Sequence, residues 1–173
     1  MKFLERDLEE IIYNANRNDL TDRGLVIGGK LFRQLRIGNY GIADLVSFSP
    51  PTLINADRNI YDSALITVYE LKKDKIGISA FLQAIGYVKG IDRYLKRRGV
   101  KFDYEINIAL IGSTIDTNST FSYLCDLIPD NGYDDFLEMY EYNYELDGIT
   151  FNAKNGFKLI DEGFGTFRNE SPF

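Results

Sequence analysis

Ala64-Leu65-Ile66-Thr67-Val68-Tyr69-Glu70-Leu71-Lys72 is apolar on both of its alternating faces until Glu70. A strand covered by helices on both sides of a sheet reads this way. Side chains two apart on a strand point the same way, so Glu70 and Lys72 stand side by side on one face and Leu71 points to the other. Ile66 and Val68 form the apolar floor beneath them. A carboxylate and an ammonium at that depth are costly unless they are paired or a cation is bound.

On the N-terminal side, Gly41-Ile42-Ala43-Asp44-Leu45-Val46 reads as a second strand whose Asp sits among apolar neighbours. If the two strands pair, Asp44 and Glu70 converge. Two carboxylates, supplemented by waters and a backbone carbonyl such as that of Leu71, are a sufficient protein contribution to a Mg²⁺ site. Residues 25–48 as a whole read as two or three strands, with turn signals at Gly28-Gly29 and Gly38-Asn39. Residues 49–63, with Pro50-Pro51, read as a loop or excursion between two strands. Residues 3–16 have the pattern of an amphipathic helix, with Leu4, Leu8, Ile11, Ile12 and Ala15 on the apolar face and Glu5, Arg6, Glu9 and Glu10 elsewhere. The asparagines 14, 16 and 18 mark its end or a loop.

On the C-terminal side the spacing predicts a helix over 79–98, with Phe81, Leu82, Ile85, Val88, Ile91, Tyr94 and Leu95 as its stripe. Arg97-Arg98-Gly99 is its stop, placing cations at the negative end of the helix dipole and glycine at the cap. Gln83 and Tyr87, four apart, share a face. Residues 102–112 alternate as a strand, and strand–helix–strand in this order suggests a parallel crossover. Residues 119–128 read as a short helix. Tyr140, Tyr142, Tyr144 and Leu146 alternate ahead of Asp147-Gly148, which reads as a hairpin. That Tyr-rich stripe suits sheet packing, with a homodimer or protein-partner surface as the sharper alternative.

The 173 residues suit one domain, 1–173, with a core over about 3–112 and a C-terminal extension over 113–173. Acidic residues outnumber basic ones 26 to 20, a net charge of -6, which counts against a protein that coats nucleic acid non-specifically. The chain has no histidine, which removes imidazole bases and Cys/His zinc sites. Acid–base work falls to carboxylates, Lys, Tyr or metal-bound water. Cys125, the only cysteine, reads as an inert packed thiol. No apolar run is long enough to span a bilayer and no signal-peptide core is present, so a cytoplasmic protein without membrane partners is expected.

Together, Gly41-Ile42-Ala43-Asp44, Glu70-Leu71-Lys72 and Gln83-Ala84-Ile85-Gly86-Tyr87, preceded by a helical Glu9 or Glu5, resemble the PD-(D/E)xK nucleases. The resemblance is strongest to their RecB-like branch, whose motifs are G-x-x-D, E-x-K and Q-x-x-x-Y in that order. It covers roughly residues 3–111. It departs from the pattern in Ala43, where Pro is common, and in the long Asp44–Glu70 interval. The resemblance implies an α/β, restriction-endonuclease-like αβββαβ core with a mixed central sheet, extended here by the C-terminal hairpin. It implies a Mg²⁺- or Mn²⁺-dependent endonuclease acting on DNA. Asp44, Glu70, the Leu71 carbonyl and Glu9 would be metal ligands. Asp44, Glu70, Lys72 and Gln83 would be catalytic. Tyr87, Lys73, Lys89 and Arg93 would contact the substrate, in a basic surface that also includes Lys75, Lys96, Arg97 and Arg98. The alternative is a non-catalytic binding module that keeps the fold and uses its acidic, Tyr-rich segment around Glu138–Asp147.

Overall fold

The computed structural model describes residues 4–55, 60–61, 63–117, 120–121 and 136–154. In chain order these form α1 (Glu5–Asn14), α2 (Arg17–Asp22), β1 (Lys30–Arg36), a 3-10 turn at Gly38–Tyr40, β2 (Ile42–Ser49), β3 (Leu53–Asn55), β4 (Ile60–Tyr61), β5 (Ala64–Leu71), β6 (Lys75–Ile76), α3 (Ile78–Arg98), β7 (Tyr104–Gly112), β8 (Thr114–Ile115), β9 (Leu137–Glu145) and β10 (Gly148–Ala153). The fold is mixed α/β: a six-stranded sheet in the order β1-β2-β5-β7-β9-β10, flanked by helices. β1, β2 and β5 run antiparallel in succession, β7 lies parallel to β5 and β9 parallel to β7, and β10 turns back antiparallel against β9.

Alternation sorts the core into two layers. Ile66 and Val68 of β5, with Ile108 and Leu110 of β7, meet Ala80, Phe81, Ala84, Tyr87 and Ile91 of α3. Tyr69 and Leu71, with Ala109 and Ile111, meet Leu8 and Ile12 of α1 and Leu20 of α2. Each fully buried large aliphatic side chain of this kind stabilises the fold by roughly 1.5–3 kcal/mol. The strand over 64–72, the strand over 102–112 and the helix over 79–98 are present as the sequence reading has them, and β5 and β7 are joined through α3 as the parallel crossover. Gly99 caps α3 in the left-handed region, φ 63°, after Lys96, Arg97 and Arg98.

The departures have local causes. α3 buries Ala80, Phe81, Ala84, Tyr87 and Ile91, with Gly90 against the 3-10 turn, while Leu82 and Tyr94 of the expected stripe are exposed. α1 is rotated from its expected face: Leu4 and Ile11 are exposed and Glu9 is buried with Leu8 and Ile12. The asparagines after α1 start a further helix, because the Asn16 side chain accepts the Asn18 N–H at 2.9 Å and caps α2. The expected loop over 49–63 contains the paired β3 and β4. Within the expected extension, β9 and β10 complete the central sheet rather than standing apart from it. Tyr140 and Tyr142 are buried in the α1 layer and Tyr144 is exposed. Most of the expected short helix at 119–128, with Cys125, lies outside the described residues.

β10 is an edge strand, and the chain after α2 lies along it. The Phe151 N–H donates to the Arg23 carbonyl at 2.7 Å, and the Arg23 guanidinium donates to the carbonyls of Asp147 and Ile149. Gly24, at φ 92°, passes so close that a Cβ there would meet the Phe151 oxygen at 2.1 Å. Among the described residues no helix is long and apolar enough to cross a membrane.

Candidate functional site

β2 and β5 are paired up to Leu45 opposite Tyr69. Continuing that register by one position sets Asp44 opposite Glu70. There the ladder is replaced: the Leu71 N–H donates to Asp44 Oδ2 at 2.9 Å instead of to a backbone carbonyl of β2. Glu70 is 1 % exposed. Its Oε1 accepts from Lys72 Nζ at 2.6 Å, as side chains two apart on a strand allow. Its Oε2 is buried without a hydrogen-bond partner among the described residues.

The electrostatics follow from this placement. Burial, reinforced by the neighbouring Asp44 charge and only partly offset by Lys72, pushes the Glu70 carboxyl up to about 7. Burial also raises Asp44, against the opposing effects of the Leu71 N–H and Lys72. Burial works to lower the Lys72 ammonium, but its bond to Glu70 and the surrounding carboxylates outweigh it and hold the group charged. Two carboxyls destabilised as anions, with an ammonium beside them, form a site that gains from a bound cation or proton.

Tyr87 is 3 % exposed and its hydroxyl donates to the Ile42 carbonyl at 2.8 Å, two residues before Asp44. Gln83 Nε2 donates to the same hydroxyl at 2.8 Å. The resemblance gave Gln83 a catalytic role and Tyr87 a contact with substrate. They are instead bonded to each other and to β2. The Tyr87 ring lies against Gly41, where φ is 116° and a Cβ would meet Tyr87 Cε1 at 3.1 Å. Gly41→Val combines a β-branched residue at positive φ with that contact. It should destabilise the protein by roughly 1–3 kcal/mol in urea unfolding, with Gly41→Asn milder.

Glu9 is placed differently from its expected role as a ligand. It is 4 % exposed, and both of its oxygens are taken, Oε1 by Arg33 Nε and Oε2 by Gln34 Nε2. Its charge still reaches Asp44. The charge of Glu5, exposed on the first turn of α1, reaches Asp44, Glu70 and Lys72 alike. Among the described residues no group of three or more His, Cys, Asp or Glu side chains is arranged to hold a metal ion. The carboxylate pair Asp44 and Glu70 is what the fold brings together. The orphaned Oε2 fits a hard cation that completes its shell with water and backbone oxygen.

No family model, curated protein or solved structure matches this chain.

Two residues of the site were missed in sequence reasoning. Arg33 and Gln34 sit in β1, and Gln34 lies opposite Asp44 when the β1–β2 register is continued between Arg33↔Leu45 and Leu35↔Ala43. Gln34 is the one non-glycine among the described residues with positive φ, 50°. Such a residue in a strand costs of order 1–3 kcal/mol and persists where surrounding contacts hold it. Here the bond to Glu9 does so. No periodicity marks that position, so nothing in the sequence singled it out. Of the expected substrate contacts, Lys73 is 3.8 Å from Asp74, Lys89 is exposed on α3, and Arg93 is directed to Tyr40, donating to its hydroxyl.

Proposed function

We propose that the protein is a metal-dependent phosphodiesterase, a DNA endonuclease built on a restriction-endonuclease-like core. The observation that carries this reading is Glu70, buried, with one oxygen held by Lys72 and the other left without a partner beside Asp44. The order α1, β1, β2, β5, α3, β7, with three antiparallel strands followed by a helical crossover to a parallel strand, supports the core.

Asp44 and Glu70 would hold a Mg²⁺ or Mn²⁺ ion. Such an ion lowers the pKa of a bound water and offsets charge on the phosphate. Lys72 is fixed by Glu70 so that its ammonium faces the reacting group, where it orients the attacking water and stabilises charge developing on phosphate oxygen. Tyr87 and Gln83 act one step back. They hold the Ile42–Asp44 segment in place through the Ile42 carbonyl, which makes them positioning residues. Glu9, clamped by Arg33 and Gln34, keeps a negative charge near Asp44 and so favours a cation there. In the hydrolysis, the water oxygen would form the new P–O bond as the ester P–O bond breaks, the water's proton would pass to the site's carboxylates or to solvent, and the leaving sugar oxygen would take up a proton from solvent.

The test is incubation of single-stranded, double-stranded and branched DNA with Mg²⁺ or Mn²⁺, beside Glu70→Ala. Cleavage of at least one form is expected, abolished by EDTA and by the substitution. No cleavage of any form, together with no divalent-ion binding by calorimetry, would overturn the reading and leave a non-catalytic module. Cleavage that survives Glu70→Ala would overturn the site.

A further inference from the structure

A cavity of about 810 Å³ lies between the C-terminal half of α3 and the 3-10 turn, lined by Arg36, Tyr40, Gly90, Arg93, Tyr94 and Arg97 among others. Gly90 makes it possible: a Cβ there would meet Ile37 Cγ2 at 2.4 Å and the Tyr40 ring at 2.7 Å, so only glycine lets the turn lie on the helix backbone. In a chain of net charge -6, three guanidiniums line one cavity, and none has a carboxylate within 4.0 Å among the described residues. The nearby Asp92 is taken by Lys96 and Tyr104. The Arg93 guanidinium is oriented by the Tyr40 hydroxyl and lies 5.9 Å from the Tyr40 ring centroid. Tyr94 is 56 % exposed, with Arg98 over its ring.

We propose that this groove binds the phosphates of a nucleic-acid strand that continues away from Asp44 and Glu70. The identity of the ligand rests on the phosphodiesterase reading; the anionic character rests on the groove. Guanidiniums suit phosphate because their planar fork matches its oxygens. Arg93 and Arg97 are one helical turn apart, about 6 Å at about 1.5 Å per residue. They offer two separate positions along a strand rather than one pocket for a single anion. One helix carries both: α3 runs from Tyr87, whose hydroxyl donates to the Ile42 carbonyl, to Tyr94, seven residues or roughly 10 Å further along. The exposed Tyr94 ring offers a base a stacking face.

The test is fluorescence anisotropy of a labelled single-stranded 20-mer with the full chain in EDTA, across a salt series. The double variant Arg93→Glu/Arg97→Glu is compared with Lys30→Glu/Lys154→Glu, an equal charge change away from the groove. The groove variant should weaken binding at least tenfold and reduce the log–log salt slope by about 1.4, two contacts at roughly 0.7 each. The control should stay within twofold. The milder Arg97→Ala, melting like wild type, should show a smaller loss in the same direction. Equal losses in control and groove variants, or no loss in the groove variants, would overturn the proposal. So would full displacement of the 20-mer by millimolar inorganic phosphate, which would indicate a small-anion site. Binding in EDTA needs no catalysis. An intact groove effect without cleavage anywhere would therefore sink the enzyme reading alone, and cleavage with unaltered binding in the groove variants would sink the groove alone.

Discussion

Glu70→Gln should make the protein more stable at pH 8, and the gain should disappear in acid. The folded chain keeps a proton on Glu70 up to about pH 7, whereas an unfolded chain releases it at the ordinary 4.5. Between those values the folded state binds more protons, so unfolding free energy falls as pH rises through the window. Below 4.5 both states are protonated and Glu70 contributes no pH dependence. Above 7 both are ionised, and the folded state bears the whole cost of the buried anion. At about 1.4 kcal/mol per pH unit, that cost is roughly 3 kcal/mol. Asp44, raised mainly by burial, acts in the same direction. Glutamine keeps an acceptor for Lys72 and removes the charge. A gain on the order of 1–3 kcal/mol is expected, or several degrees in melting temperature at ~2–4 °C per kcal/mol for a chain of this size. Thermal melts of both proteins between pH 4 and 9 read it. Melting curves that stay parallel across the range would contradict the buried-anion account. Magnesium or manganese should close the gap from the other side, since a ligand at ten times its Kd stabilises wild type by about 1.4 kcal/mol and has little to hold in the variant.

Lys72→Met should reduce cleavage by on the order of 10²–10³-fold at saturating substrate, the size of effect seen when one preorganised charge-stabilising donor is removed. Methionine retains most of the stem and its packing. Binding of the 20-mer in EDTA should change little, because in the proposed mechanism Lys72 acts on the reacting group while the proposed groove holds the strand elsewhere. Lys72→Arg should recover part of the rate, since it keeps the charge while changing donor geometry. A loss in binding affinity as large as the loss in rate would make Lys72 a strand contact rather than a group that acts on the reaction.

The parts of the fold visible in sequence are those whose signal is local. β5 is apolar on both faces, α3 ends in Arg97-Arg98-Gly99, and Tyr140–Phe151 alternates about Asp147-Gly148. Asp44 and Glu70 could be matched because both sit on short apolar strands of a single sheet, where one register decides whether they meet. What was hidden depends on contacts between distant segments. Glu9 looks like an ordinary polar helix position until Arg33 and Gln34 are folded over it, and their partnership then turns α1 and leaves Ile11 outside. α2 is six residues long, too short to show a period, and depends on the side chain of Asn16. The arginine groove joins residues from β1, the 3-10 turn and α3 that no linear motif links.

The strap of Arg23 and Gly24 along β10 also bears on how the chain reaches this state. Arg23 bonds to carbonyls 124 and 126 positions away, so one of the longest loops in the molecule closes at that edge. Closing a long loop is entropically costly before its contacts reward it, and nonlocal pairings of this kind slow folding. In a chain made N-terminus first, α1 and α2 leave the ribosome long before β10 does. The chain cannot seal the sheet against them until residue 151 has followed. Until then, the surface that will meet β10 depends on α2 and its turn waiting uncovered.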